Sequence, residues 1–391
     1  MSNDKLRFAL KIPVILLPFA LSLLHQRILA LVHKWTYHPV PDSKQIIVIG
    51  GSFTGLQIAQ RLTETIPSGF RVVMIERKSH FNYLFNFPRY SVMTGHEEYA
   101  FIPYDMLEAA APKGSFRRVR DTVTSIKDGK VHLESGEAVE FAYLVIATGS
   151  KQGLPSKGTA IDKREACAEL QTVQDDVKTA SRIAVVGGGA VGVELATDIK
   201  SFYPEKDVTI VHSRERLLHR FGPRLHDHVV QKMREETTGI HVRLGERPEI
   251  QDNALLFSSG RQEYDLIIPC IGQAPNSSIV QTLAPGILSS TQHIRVQPTL
   301  QILADSKQDT ANLSNIFAIG DVAETGSPKM GRAGFFQAEI VIKNILAMIR
   351  GKPADSVYKP QPDIEGSIKL SLGRVSSLSL SFQLTFSNRT E

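Results

Sequence analysis

Two glycine-rich stretches in this 391-residue chain have the residue types and spacing to hold a dinucleotide pyrophosphate against backbone. The later one reads RIAVVGGGAVGVELATDI over residues 182–199, where Gly187, Gly189 and Gly192 complete G-x-G-x-x-G. In that pattern the first glycine permits a tight turn, the second lets phosphate approach the chain, and the third lets a helix pack closely on the preceding strand. The helix that begins there presents its N–H groups, from Ala190 and Val191 onward, and its positive dipole end to the phosphates. An apolar run over 183–186, helical spacing over 193–201 and a second apolar run over 208–211 supply the strand-helix-strand setting that the motif needs. Glu194 falls within this helix and is a candidate cofactor contact.

The earlier stretch, IIVIGGSFTGLQIAQRL over 46–62, keeps Gly50 and Gly55 but carries Ser52 at the middle position. A serine is compatible only if its φ stays negative and its side chain points away from the phosphates. The spacing predicts a strand over 46–49, a helix over about 56–65 and a strand over 71–75 that ends in Glu76. That carboxylate stands a little beyond the usual ~20 positions after the first glycine, where it accepts from the ribose hydroxyls of an adenosine. Gly50, Gly51, Ser52, Phe53, Thr54, Gly55 and Glu76 are the candidate residues of this first cradle.

The equivalent strand end of the second cradle differs. It reads His212, Ser213, Arg214, with no carboxylate before Glu215. A carboxylate here would accept from a ribose 2′-OH and repel a 2′-phosphate. Ser213 and Arg214, with Arg216 nearby, instead offer donors that suit a phosphate, so NADPH is expected to be accepted at least as well as NADH.

Two dinucleotides on one chain imply electron traffic between them. Residues 143–150 form an apolar run ending in Ala147, Thr148, Gly149 and Ser150; residues 315–322 form another containing Gly320 and Asp321; and 269–276 read PCIGQAPN, with Gly272 after the cysteine. In this order the segments resemble the two-dinucleotide-binding flavoprotein reductases. The resemblance implies an α/β fold of two Rossmann-like domains, with an NAD(P)H domain inserted in an FAD domain. It implies that Asp321 bonds the flavin ribityl chain and that Ala147 to Gly149 mark the crossing between domains. It also aims the start of a helix over 329–344 at the flavin pyrimidine ring, with Lys329 as the one catalytic candidate. The hydride chemistry belongs to the cofactors, FAD and NAD(P)H, and no acid-base triad or metal site is expected.

Cysteine narrows the branch. Cys167 and Cys270 are the only two, too far apart in sequence for a C-x-x-C or C-x4-C dithiol, which argues against thioredoxin-, glutathione- and lipoamide-type reductases. Over about residues 44–373 the chain more closely resembles the apoptosis-inducing-factor-like oxidoreductases, particularly the ferroptosis-suppressor type, through the stretches 76–89, 120–126 and 368–373. By that similarity Arg89 faces the FAD pyrophosphate and Val123 holds the adenine through its backbone. The expected acceptor is a small molecule, a quinone among the options. A ferredoxin-like protein acceptor and a low-turnover flavin-stabilised binding protein are the alternatives.

Composition is that of a globular protein, 42% hydrophobic and 22% charged. The formal charge of +5 does not point to nucleic acid, because Lys5, Arg7, Lys11, Arg27 and Lys34 concentrate the excess in the first segment and no nucleic-acid motif accompanies it. The expected organisation is an arm over 1–43, an FAD domain over 44–155 and 286–351, an NAD(P)H domain over 156–285, and a short C-terminal piece over 352–391. Residues 12–32 are apolar enough to engage a bilayer, but His25, Gln26 and Arg27 interrupt them and Pro13 and Pro18 are expected to disturb the first half. The arm is therefore read as a membrane-associating segment, with a presequence or a soluble arm packed on the body as the alternatives, and the body as cytoplasmic or mitochondrial. After Gly373 the resemblance expects further strands and a helix, whereas this chain has a serine-rich tail whose residues 377–386 alternate as one half-buried strand would.

Overall fold

The structure, a computed structural model, describes residues 3–235, 239–374 and 376–380. Along the chain the elements that position the cradles are α1 (Asn3–Thr36), β1 (Lys44–Ile49), α2 (Phe53–Thr63), β2 (Phe70–Ile75), β3 (Phe116–Val119) and β4 (Tyr143–Ile146). They continue with α3 (Lys163–Thr179), β5 (Arg182–Val186), α4 (Ala190–Phe202), β6 (Asp207–His212), β7 (Ile240–Leu244) and β8 (Leu266–Pro269). Last come β9 (Ile316–Ala318), α5 (Gly331–Ile349), β10 (Ile368–Leu372) and β11 (Ser376–Leu380).

The chain divides into two compact units. The first takes in Met1–Phe81, Pro103–Lys151 and Ala274–Gly366. Its centre is a parallel sheet in the order β9-β4-β1-β2-β3, with Ile46 opposite Val72 on one side and Tyr143 on the other. Ile46, Ile47 and Val48 are fully buried, the pattern of a parallel strand covered on both faces. Burying side chains of this size contributes about 1.5–3 kcal/mol each, which makes this run the natural centre of the unit. An antiparallel sheet of Val123–Lys127, Lys130–Leu133 and Ala138–Glu140 packs its buried Ile126, Val131 and Leu133 into the same core.

The second unit comprises Asn82–Ile102, Gln152–Gln273 and Ser367–Glu391. Its parallel sheet runs β7-β6-β5-β8, with Val185 opposite Ile210 and Ile268. The apolar side of β10 joins this core, where Ile368, Leu370 and Leu372 pack with Leu195 and Ile199 of α4. β10 and β11 form an antiparallel hairpin, with Leu370 opposite Leu378. The tail beyond residue 380, including the rest of the strand expected over 377–386, lies outside the described residues.

α1 corrects one expectation. It runs through Pro13 and Pro18 as a continuous helix. Each proline removes one intrahelical hydrogen bond, and the neighbouring turns carry the helix on. Its C-terminal end is fastened to the first unit: His33 Nε2 lies 2.6 Å from Ile66 O, and Tyr37 Oη donates to Phe70 O at 2.9 Å. Above that anchor Leu21, Leu24, Ile28, Leu31 and Val32 are exposed, and Trp35 is 84% exposed. Among the described residues no helix is long and apolar enough to cross a membrane.

Candidate functional site

The first cradle forms where β1 hands over to α2. Gly50 takes φ +100°, and a Cβ there would lie 2.5 Å from Ala147 O, so only glycine lets the turn pass beneath the end of β4. A Cβ on Gly55 would lie 1.8 Å from Gly50 O, which fixes the close seating of helix on strand. Ser52 has φ −79°, is exposed and makes no side-chain cap, so the negative φ required for a serine here is met. No acidic side chain occupies the first turn of α2, which leaves its positive end for an anion. Glu76, just past β2, accepts from Gly51 N–H through Oε2 at 2.6 Å and from Lys78 N–H through Oε1 at 2.9 Å. Each oxygen keeps lone-pair capacity for a ribose diol. Phe53 packs edge-on to Phe81.

The Asp321 turn lies against this cradle because Thr54 fills the space beside two glycines: Cβ atoms on Gly320 and Gly334 would lie 3.1 and 2.0 Å from Thr54 Oγ1. Ser150 Oγ donates to Asp321 Oδ2 at 3.2 Å. Gln337, on α5, accepts from Gly320 N–H at 2.7 Å and donates to Ser327 Oγ at 2.9 Å and Thr325 Oγ1 at 3.2 Å, holding the turn from behind. Thr148 Oγ1 donates to Asn276 O at 2.7 Å, and the Asn276 amide returns a bond to Thr148 O at 3.0 Å. The Ala147 to Gly149 segment is thereby tied to the one that re-enters the first unit. Lys329 is half-buried and donates to Ala323 O. Burial lowers its pKa against the opposing charges of Asp321 and Glu324. Val123 opens its strand at the rim of the first unit's core.

The second cradle repeats the architecture. Gly187 has φ +133°, a Cβ on Gly192 would lie 1.8 Å from Gly187 O, and the space before Gly189 is open. The first turn of α4 carries no acid. Gly272 has φ +85° and open space around its Cα. At the end of β6 the His212 side chain takes the place that Glu76 holds in the first cradle, its Nδ1 3.1 Å from Gly188 N. Burial, then the charges of His219 and Arg214, lower its pKa. Ser213 and Arg214 are exposed.

Glu194 and Arg89 are held differently from a simple cofactor contact. Glu194 Oε1 accepts from Ser371 N–H at 2.9 Å and from Ser371 Oγ at 3.1 Å. Arg89 belongs to the second unit, where its Nε donates to Asp198 Oδ2 at 2.8 Å and its Nη2 to Gly373 O at 2.9 Å. Among the site's supporting residues, Gln337, Tyr104, whose hydroxyl donates to Gly51 O at 2.8 Å, and Ser371 carry no local sequence signal. The positions of Ser150 and Asn276, next to the Ala-Thr-Gly and Ala-Pro segments, were the only available hint for those two.

Burial pushes the Glu194 carboxyl up to about 7, against the pull of the Ser371 bonds. A folded-state value above the unfolded 4.5 means that the proton-linked stability is complete below about pH 4.5 and is lost as pH rises through about 7. The loss over that window is at most about 3 kcal/mol. Glu194→Gln should flatten this slope, measured as the difference in urea midpoint between pH 5 and pH 8. An unchanged slope would mean that the carboxyl titrates normally.

The fold and the paired cradles define a two-dinucleotide-binding flavoprotein oxidoreductase that takes FAD and NAD(P)H. The chain belongs to the pyridine nucleotide-disulphide oxidoreductase family, whose description matches residues 44–338, and within it to the apoptosis-inducing-factor-like flavoenzymes of the ferroptosis-suppressor type. It is 34% identical over 363 residues to Fe-regulated protein 8 of Mycosarcoma maydis, covering 85% of this chain and 87% of that one. It is 31% identical over 336 residues to ferroptosis suppressor protein 1 of Mus musculus, covering 81% and 83% respectively. Among solved structures, the NADH-bound water-forming NADH oxidase of Lactobacillus brevis shares the fold with a TM-score of 0.65 at 20% identity, covering 84% of this chain and 73% of that one. An engineered NADPH-bound water-forming oxidase matches at 0.64 and 20% identity over the same shares.

Proposed function

We propose that this protein is an FAD-dependent NAD(P)H:quinone oxidoreductase working at a lipid surface, with FAD on the first unit and the nicotinamide cofactor on the second. When bound, the flavin takes hydride from the nicotinamide and releases electrons to the acceptor. The chain's own residues bind and orient. Gly50 to Gly55 and the α2 N-terminus cradle one pyrophosphate, Glu76 takes its adenosine ribose, and Asp321, steadied by Ser150 and Gln337, takes the ribityl chain. Gly187 to Gly192 cradle the other, with Gly272 and the His212 to Arg214 strand end toward the rest of that dinucleotide, while Glu194 is committed to Ser371. Lys329 supplies a cation beside Asp321. The Cys270 thiol is pushed up to about 12 by burial and stays protonated at neutral pH, so it carries no thiolate chemistry there.

The observation that carries the quinone reading is α1: an exposed apolar surface fastened through His33 and Tyr37 to the unit that holds the first cradle. Such an arm brings that unit to the lipid phase, where a long-chain quinone dissolves. The test compares the whole chain with a form lacking residues 1–40, using a water-soluble short-chain quinone and a long-chain quinone in phosphatidylcholine vesicles. The shortened form should keep its flavin and the soluble-quinone rate but lose most of the vesicle-quinone rate. Turnover only with a ferredoxin-like protein, or none with any acceptor, overturns the quinone reading. Equal vesicle rates remove the role of the arm.

A further inference from the structure

Both cradles use the side chain at the end of their second strand to accept a hydrogen bond from the loop. Glu76 accepts from Gly51 N–H at 2.6 Å, and His212 accepts from Gly188 N–H at 3.1 Å. Acceptance has different consequences for the two groups. A carboxylate retains further acceptor sites, whereas a neutral imidazole that accepts at Nδ1 must carry its proton on Nε2 and has only a donor left. His212 Nε2 is buried and meets no hydrogen-bond partner among the described residues, and His212 as a whole is 8% exposed. A buried donor left unsatisfied costs stability, a cost that an acceptor brought in by a bound ligand would relieve.

The surroundings favour an anionic acceptor. A Cβ on Gly188 would lie 2.7 Å from His212 Cγ and 2.5 Å from Leu217 Cδ2, so glycine is what lets the imidazole lie against the loop. Leu218 N–H donates to Gly188 O at 2.7 Å, which folds the following segment back onto the cradle. That segment carries Arg214, Arg216 and Arg220 against Glu215 alone, and its His219 ring lies 5.5 Å from that of His212.

We infer that His212 is a specificity residue that selects the phosphorylated ribose of NADP(H), its fixed Nε2–H donating to a 2′-phosphate oxygen where a carboxylate would accept from a 2′-OH. The inference rests on the second unit holding the nicotinamide dinucleotide and goes beyond it by assigning the choice between the two cofactors to one tautomer. Arg214 contributes charge; His212 decides which partner the strand end accepts. The fold does not make this choice, since the NADH-bound and NADPH-bound oxidases share it to the same degree.

The experiment measures binding to the flavin-loaded full-length protein by calorimetry, with adenosine 2′,5′-bisphosphate and adenosine 5′-monophosphate, which differ only in the 2′-phosphate. Wild type should prefer the bisphosphate by about tenfold or more, the worth of a charge-assisted bond in a half-desolvated site. His212→Glu keeps the acceptor for Gly188 N–H, as Glu76 demonstrates in the first cradle, but replaces the donor with a negative charge. It should weaken the bisphosphate roughly 10- to 100-fold and leave the monophosphate within about threefold. His212→Gln offers one acceptor and one donor and should retain the preference. Equal bisphosphate binding by wild type and His212→Glu overturns the inference, as does loss of the preference in His212→Gln. Failure of wild type to bind either nucleotide instead removes the reading of the second cradle, so the two failures are separable.

Discussion

Gly192→Ala is expected to leave FAD bound and to slow reduction of that flavin by NADPH at least about 100-fold. The added Cβ would sit 1.8 Å from Gly187 O and 3.0 Å from Gly187 C, both backbone atoms that no rotamer change can move. The first turn of α4 must then lift from β5, carrying with it the N–H groups that are proposed to hold the pyrophosphate. Alanine is the better helix former by about 1 kcal/mol, but that gain does not relieve a backbone overlap. A displacement of about 1 Å in a positioning element is enough for the 100-fold loss. The damage stays in one unit because the nearest atoms to that Cβ belong to Gly187 and Val185, in the same unit as Gly192. Gly55→Ala, whose Cβ would sit 1.8 Å from Gly50 O, is the reciprocal experiment and should yield protein with little flavin. Flavin absorbance per chain and stopped-flow reduction decide both. If Gly192→Ala loses flavin while Gly55→Ala keeps it, the assignment of the cradles is inverted.

Removing the Arg89 guanidinium should destabilise the second unit by about 3–5 kcal/mol, the usual consequence of leaving a buried charge without its partner. Asp198 is wholly buried on α4, and Arg89 reaches it with Nε at 2.8 Å from Oδ2 and Nη2 at 2.8 Å from Oδ1. Burial raises the Asp198 pKa even with Arg89 bonded to it, so the carboxylate is a net burden that the arginine makes tolerable. A raised folded-state value gives stability that is present at low pH and lost as pH rises. The deficit of Arg89→Met should accordingly be smaller at pH 5 than at pH 8. Arg89→Met with Asp198→Leu should regain most of it, since an apolar replacement of a buried pair is often neutral. Urea unfolding measures the stability. Flavin content of the double variant tests the other role expected of Arg89: full occupancy leaves it a structural tie between residues 82–102 and α4, whereas loss of flavin returns it to the FAD pyrophosphate.

These two cases mark how far the chain could be read without coordinates. Gly192 was legible because a turn, a phosphate approach and a close helix contact each demand glycine, and the demands recur at fixed spacing. The strands around it were legible for a similar reason, since Ile183 to Val186 and Ile46 to Ile49 are apolar without alternation. Arg89 was not. Its partners Asp198 and Gly373 lie far along the chain, and nothing local to an arginine records which distant carboxylate will be buried beside it. The prolines of α1 misled in the opposite direction, because a local helix breaker was weighed without the turns on either side that carry the helix through.

The ordered segments resemble the flavoprotein reductases, which is what implied flavin, nicotinamide and the Asp321 turn, and the sequence by itself determined the two strand-glycine-helix cradles and the lack of a dithiol. Local covalent constraints determine the cradles, because φ freedom and the absence of a Cβ are properties of single residues at short separations. Only the tertiary structure decided what the polar groups are committed to. Whether Glu194 faces a cofactor or Ser371, whether Gln337 supports the Asp321 turn, and which nitrogen of His212 keeps its proton all depend on partners brought together from distant segments. Each of those commitments follows from burial, which forces a polar group to find a partner in the space the packed core leaves it, and that space exists only once the chain has folded.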